Sequence, residues 1–147
     1  MLKPDNEMTL KLCALSANES FARSAVAAFC VQLNPTLEQI NDIKTAVSEA
    51  VTNSVVHAYD GGTDGYVIID CKIIGDSVHI AVSDAGVGIK DIARAREPFF
   101  TTKPEEERSG MGFTVMESFM DSLDVKDNEG GGLKVIMVKK IGAKIIA

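Results

Sequence analysis

A two-layer α/β (α+β) sandwich, with helices on one face of a mixed, mostly antiparallel sheet, is the fold class this sequence predicts. Three observations predict it. Two long segments repeat apolar residues at helical spacing, several short segments alternate or run as β-branched residues, and two of these are joined by the hairpin-type turn Gly75-Asp76.

Met8–Ala14 alternates apolar and polar residues, as a half-buried strand does. Ser16 and Glu19 then have the spacing of a capping box, with Asn18 as a competing cap. The helix they open is expected to reach Leu33, with Ala22, Ala25, Val26, Phe29 and Leu33 buried, and Asn34-Pro35 breaks it. Thr36 and Gln39 offer a second capping box. The helix behind them, Leu37–Tyr59, places Ile40, Ile43, Val47, Ala50, Val51 and Ala58 on one face. Strands follow at Tyr66–Ile74 and Ser77–Ser83, then a short helical stretch near Asp91–Arg96. Residues 97–109 lack periodicity and are expected to form a mobile loop. Gly110–Met120 reads as a glycine-led helix, and strands at Leu123–Lys126 and Leu133–Lys140 flank a Gly130–Gly132 turn.

The totals narrow the function. A chain of 147 residues suits one domain, expected as a tail over residues 1–7 and a single domain over residues 8–147. Net charge is −6 with acidic residues dispersed, so direct nucleic-acid binding, which needs a concentrated basic face, is not expected. The pair Lys139-Lys140 reads as a solvated strand end. No apolar run approaches the roughly 20 residues that cross a bilayer, and the first residues lack a secretory core. A cytoplasmic protein with no membrane partner is expected. Cys13, Cys30 and Cys71 are dispersed among apolar residues and read as small buried hydrophobes, without a disulfide framework or zinc site.

Three motifs carry chemistry. Glu49, Asn53 and His57 recur one helical turn apart. Asn53 offers an amide oxygen to a hard cation, and Glu49 can accept a proton from a nucleophile; alone, the stripe also fits a solvated helix face. Asp84-Ala-Gly-Val-Gly88 ends a strand in a sharp turn where Asp84 can accept from an exocyclic amine such as that of adenine, although a simple turn has the same pattern. In Arg108-Ser-Gly-Met-Gly112, Gly110 and Gly112 would turn backbone N–H groups toward an anion at a helix N-terminus, with Arg108 in reach of a terminal phosphate. Phe99–Pro104, just upstream, suits a lid that excludes water. A Walker P-loop and a GxGxxG fingerprint are both absent.

The order of these motifs resembles the nucleotide-binding fold shared by gyrase, Hsp90, histidine kinases and MutL, the Bergerat or histidine-kinase-like ATPase fold. Within it, Asn18-Glu-Ser-Phe-Ala-Arg23, Val26-Ala-Ala-Phe29, Val47-Ser-Glu-Ala-Val-Thr-Asn53 and Phe100-Thr-Thr-Lys-Pro104 running into Arg108–Phe113 are similar to the sporulation anti-sigma factor F family. These are bacterial switch-protein serine kinases, and the likeness covers roughly Met8–Lys140.

The resemblance implies a homodimer that keeps a sigma factor from core RNA polymerase and phosphorylates a serine of an anti-anti-sigma factor with ATP and Mg2+. It implies roles residue by residue: Glu49 as general base, Asn53 as Mg2+ donor, Asp84 on adenine, Gly86 and Gly88 shaping the pocket, and Arg108, Gly110 and Gly112 around the phosphates. Thr52 and Ser109 would add nucleotide contacts, and Arg23 would meet a protein partner. A nucleotide-gated sigma-binding module with weak catalysis, or the equivalent kinase for a general-stress sigma factor, fits the same residues. Two positions depart from the family. Gly132-Leu133 stands where relatives carry Gly-Thr, which leaves a backbone contact near adenine but no threonine side chain, and Ala58 stands where relatives often carry glycine.

Overall fold

The computed structural model describes residues 3–59, 64–97 and 112–142. Five strands, β1 Asn6–Cys13, β2 Tyr66–Ile74, β3 Ser77–Ser83, β4 Ser122–Asp127 and β5 Leu133–Lys140, form one sheet in the order β1-β2-β3-β5-β4. All four pairings are antiparallel. The helices are α1 Ala17–Cys30, α2 Leu37–Asn53, α3 Ile92–Ala95 and α4 Gly112–Phe119. Among them α2 is central, packing against both α1 and α4.

Strand register explains why one sheet face is covered. Ile69 stands between Leu10 and Val82, Cys71 between Met8 and Ile80, and Val82 meets Val135. Because side chains alternate, these residues share one face. They join Val26, Cys30, Ile43, Val47, Val51 and Met116 from the helices in a single core. Each fully buried aliphatic side chain contributes roughly 1.5–3 kcal/mol, so a one-residue slip of any central strand would expose its whole apolar set. Among the described residues no helix is long and apolar enough to cross a membrane.

The two expected capping boxes behave differently. Thr36 has extended backbone and its Oγ1 accepts the Gln39 N–H at 3.1 Å, while the Gln39 side chain accepts the Thr36 N–H at 2.9 Å. Ser16 has helical backbone and makes no side-chain cap. Its expected partner Glu19 is instead held by the Ser48 hydroxyl of α2 and lies 3.6 Å from Arg23. Asn18 does not cap either; its side chain donates to the Cys13 carbonyl at 2.8 Å.

Other boundaries shift for local reasons. The α-helical part of α1 ends at Cys30 and tightens into a 3₁₀ turn over Val31–Leu33, after which Asn34 adopts φ 51° and stops it. The expected continuation of α2 to Tyr59 is instead a widened π-helical turn, Ser54–Ala58. Cys30 and Cys71 are buried, and burial pushes both thiols up to about 12. Cys13 corrects the reading of three buried cysteines: it faces Tyr66 on the uncovered side of the sheet and is exposed. Lys139 is likewise not a solvated strand end. Its ammonium donates to Asp42 at 3.1 Å and to the Phe119 carbonyl at 2.6 Å, fastening α2 to the end of α4.

Candidate functional site

Beyond β3 the chain bends at Asp84, whose carboxylate is buried, with the residue 5% exposed. Its Oδ1 accepts the Gly86 N–H at 3.0 Å and the Leu133 N–H at 3.1 Å. Its Oδ2 accepts from the Ser54 hydroxyl at 3.2 Å. Ser54 Oγ also lies 3.5 Å from the Ala50 carbonyl, but its single proton favours the nearer, charged acceptor. Ser54 is also the first residue of the π-helical turn, so its bond to Asp84 leaves α2 where the regular helix ends.

The backbone of Asp84 is gripped as well. Its N–H donates to the Leu133 carbonyl at 3.0 Å, and its carbonyl accepts from the Asn128 side-chain amide at 2.8 Å. Two glycines permit these approaches. A Cβ on Gly86 would stand 2.1 Å from the Ala58 carbonyl oxygen, and one on Gly132 would stand 2.2 Å from the Asp84 carbonyl oxygen. The departures noted in the sequence fall at these contacts. Ala58 is buried and Gly86 leaves space for its methyl, while its carbonyl accepts the Val87 N–H at 2.8 Å. Leu133 turns its side chain into the core and gives its N–H to Asp84, so only its backbone meets that carboxylate.

The helix side is built otherwise. Glu49, Thr52 and Asn53 occupy the last regular turns of α2 and are half-buried. His57, expected one more turn along the same stripe, lies in the π-helical turn, which has more residues per turn and breaks the ladder between Asn53 and His57. Ser54 is the physical link between the two sides, being next to Asn53 in sequence and bonded to Asp84. Gly88 follows with φ +71°, and Gly112 is buried at the first position of α4, the helix packed on α2. Arg108, Ser109 and Gly110 lie outside the described residues, as does the expected lid. Arg23 belongs to a separate cluster with Glu19 and Ser48 between α1 and α2.

Sequence reasoning missed Ser54, Tyr59 and Asn128. The Tyr59 hydroxyl accepts the Ala85 N–H at 2.9 Å. A signal existed only for Asn128, an amide-bearing residue at the mouth of the Gly130–Gly132 turn. Among the described residues no three acidic, histidine or cysteine side chains gather as a metal cluster. Asn53 carries an amide oxygen, a donor type that hard cations accept.

The model of the histidine kinase-like ATPase domain family matches residues 13–139. The anti-sigma F factor of Clostridium beijerinckii is 55% identical over 136 residues, covering 92% of this chain and 95% of the relative. That of Anoxybacillus flavithermus is 52% identical over 136 residues, covering 92% and 93%. Among solved structures, the RsbU and RsbW domains of Rv1364c from Mycobacterium tuberculosis align with a TM-score of 0.66 at 19% identity, covering 98% of this chain and 35% of that one. The catalytic domain of histidine kinase ThkA aligns at 0.59 and 15% identity, covering 93% and 99%. At these identities the two structures speak to the fold alone.

Proposed function

The chain belongs to the histidine kinase-like ATPase family, among relatives named anti-sigma F factor, and from that premise we propose that it binds a sporulation sigma factor and phosphorylates a serine of an anti-anti-sigma factor with Mg-ATP. The observation that carries the nucleotide reading is the Asp84 carboxylate. A buried anion is costly unless paired or hydrogen-bonded. Here Oδ1 takes two backbone N–H groups and Oδ2 takes one hydroxyl, which leaves Oδ2 an acceptor position suited to the exocyclic amine of adenine.

With adenine on Asp84, the phosphates would run along α2 toward Gly112, with Thr52, Ser109, Gly110, Gly86 and Gly88 completing the pocket. Glu49 would take the proton from the acceptor serine as its oxygen attacks the γ-phosphorus and the bond to the bridging oxygen of ADP breaks. Arg108 would stabilise charge on the transferred group. Magnesium, when bound, would neutralise phosphate charge, with Asn53 as its donor from the protein. Arg23, beside Glu19 on α1, would face the protein partners, and a cytoplasmic homodimer fits the same likeness.

The test is phosphotransfer by the Glu49→Ala variant to a cognate antagonist. Nucleotide affinity should persist while the rate of phosphoserine formation falls about 10²- to 10⁴-fold. An undiminished rate would remove Glu49 from the role of base. If the unaltered protein binds nucleotide yet yields no phosphoserine, a nucleotide-gated sigma-binding module replaces the kinase.

A further inference from the structure

Tyr59 carries a hydroxyl that the proposed chemistry does not use. The residue follows the π-helical turn, and its oxygen accepts the Ala85 N–H at 2.9 Å while donating to the Tyr66 carbonyl at 2.7 Å. The ring cannot swing freely. It lies so close over Gly65 that a Cβ there would stand 2.3 Å from the ring carbons. One side chain thus joins the end of the α2 extension, the turn that presents Asp84, and the first residue of β2.

We propose that Tyr59 is a positioning residue for adenine recognition: its hydroxyl fixes the Asp84–Gly86 turn against β2 and so sets the preference for adenine over guanine nucleotides. This rests on the nucleotide reading of the site given above. The neighbouring backbone groups of the turn are held by other contacts. Leu133 and Asn128 hold Asp84, and the Ala58 carbonyl takes the Val87 N–H. The Ala85 N–H is the one that depends on a side-chain hydroxyl. Ala85 is exposed, so without that hydroxyl its N–H would turn to water at little cost in stability. The loss falls on orientation. An exocyclic amine and a ring carbonyl differ in one donor and one acceptor, and only a carboxylate held at a fixed height tells them apart sharply.

The experiment is equilibrium binding of fluorescent ATP and GTP analogues, with magnesium, to the unaltered protein and to Tyr59→Phe, with thermal unfolding of both. The expected result is a roughly tenfold rise in Kd for the ATP analogue with little change for the GTP analogue. Adenine preference shrinks by the same factor, and Tm moves only slightly. Equal weakening of both nucleotides, or an unchanged preference, overturns the proposal. Gly65→Ala supplies a second route, since its methyl must displace the ring. It should erode adenine preference in the native background and change it no further in the Tyr59→Phe background; additive erosion overturns the proposal. If the unaltered protein binds neither analogue, the nucleotide reading itself has failed, which the variants then cannot mimic.

Discussion

Asp84 and Glu49, two carboxylates of the candidate site, are supported in different ways. Asp84 is buried, its carboxylate and backbone tied by Ser54 after α2, by Gly86 of its own turn, and by Asn128 and Leu133 of the β4–β5 turn. Glu49 and Asn53 are half-buried on regular turns of one helix, whose backbone geometry sets their spacing. On the proposed reading, base recognition therefore depends on close tertiary packing around Asp84, and phosphotransfer depends on a regular, capped helix. Substitutions should separate the two: those at the turn should change base preference, with a loss of stability where they also crowd the packing, while those along α2 should alter rate or helix stability and leave base preference alone.

The largest effect is expected at Gly132. Its φ of +89° already disfavours any side chain, and an added Cβ would meet the Asp84 carbonyl oxygen at 2.2 Å and Oδ1 at 2.6 Å. Gly132→Ala should cost about 3 kcal/mol or more, a Tm fall of roughly 10 °C. Gly75→Ala is the control, because φ there is +61° with nothing within 4 Å. It should cost only about 1 kcal/mol, the backbone term alone. Equal losses at the two glycines in thermal unfolding would mean that the grip on Asp84 adds nothing.

Next in size is Asp84→Asn. The amide keeps a carbonyl oxygen for the Gly86 and Leu133 N–H groups, and the Ser54 hydroxyl can rotate to accept, so the fold should persist. The edge offered to the base, however, changes from acceptor to donor. Affinity for ATP should fall by roughly 10- to 100-fold, about 1.4–2.8 kcal/mol, while GTP loses less. Parallel loss for both nucleotides, measured by calorimetry, would detach Asp84 from base recognition.

The two sides also differ in how far the sequence disclosed them. Glu49, Asn53 and the strands Tyr66–Ile74 and Ser77–Ser83 were legible because each depends on local periodicity. Asp84 was legible as a strand-ending carboxylate before two glycines. Its support was not: Asn128 and Leu133 reach it only because β5 pairs with β3, a long-range fact. Ser54 reads in sequence as one more helical residue, and the π-helical turn it opens displaces His57 from the expected stripe. At the start of α1, the carboxylate of Glu19 fitted a capping box, but Ser48 on the neighbouring helix claims it. Tertiary partners prevail over local patterns wherever they offer the same atom a better bond.

The smallest prediction tests that last competition and returns to the helix side of the site. Thr36 and Ser16 stand at equivalent positions before α2 and α1, in the same four-residue pattern. Thr36→Ala removes an acceptor for the Gln39 N–H and should destabilise the protein by about 1 kcal/mol. Ser16→Ala removes no cap and should stay within about 0.5 kcal/mol of the unaltered protein. Because Thr36 anchors the far end of the helix that carries Glu49 and Asn53, its loss should lower stability without altering adenine preference, which the proposed reading assigns to Asp84. Equal destabilisation of the two variants in denaturant unfolding would restore the local cap at Ser16 and weaken the case that Ser48 has drawn Glu19 away from it.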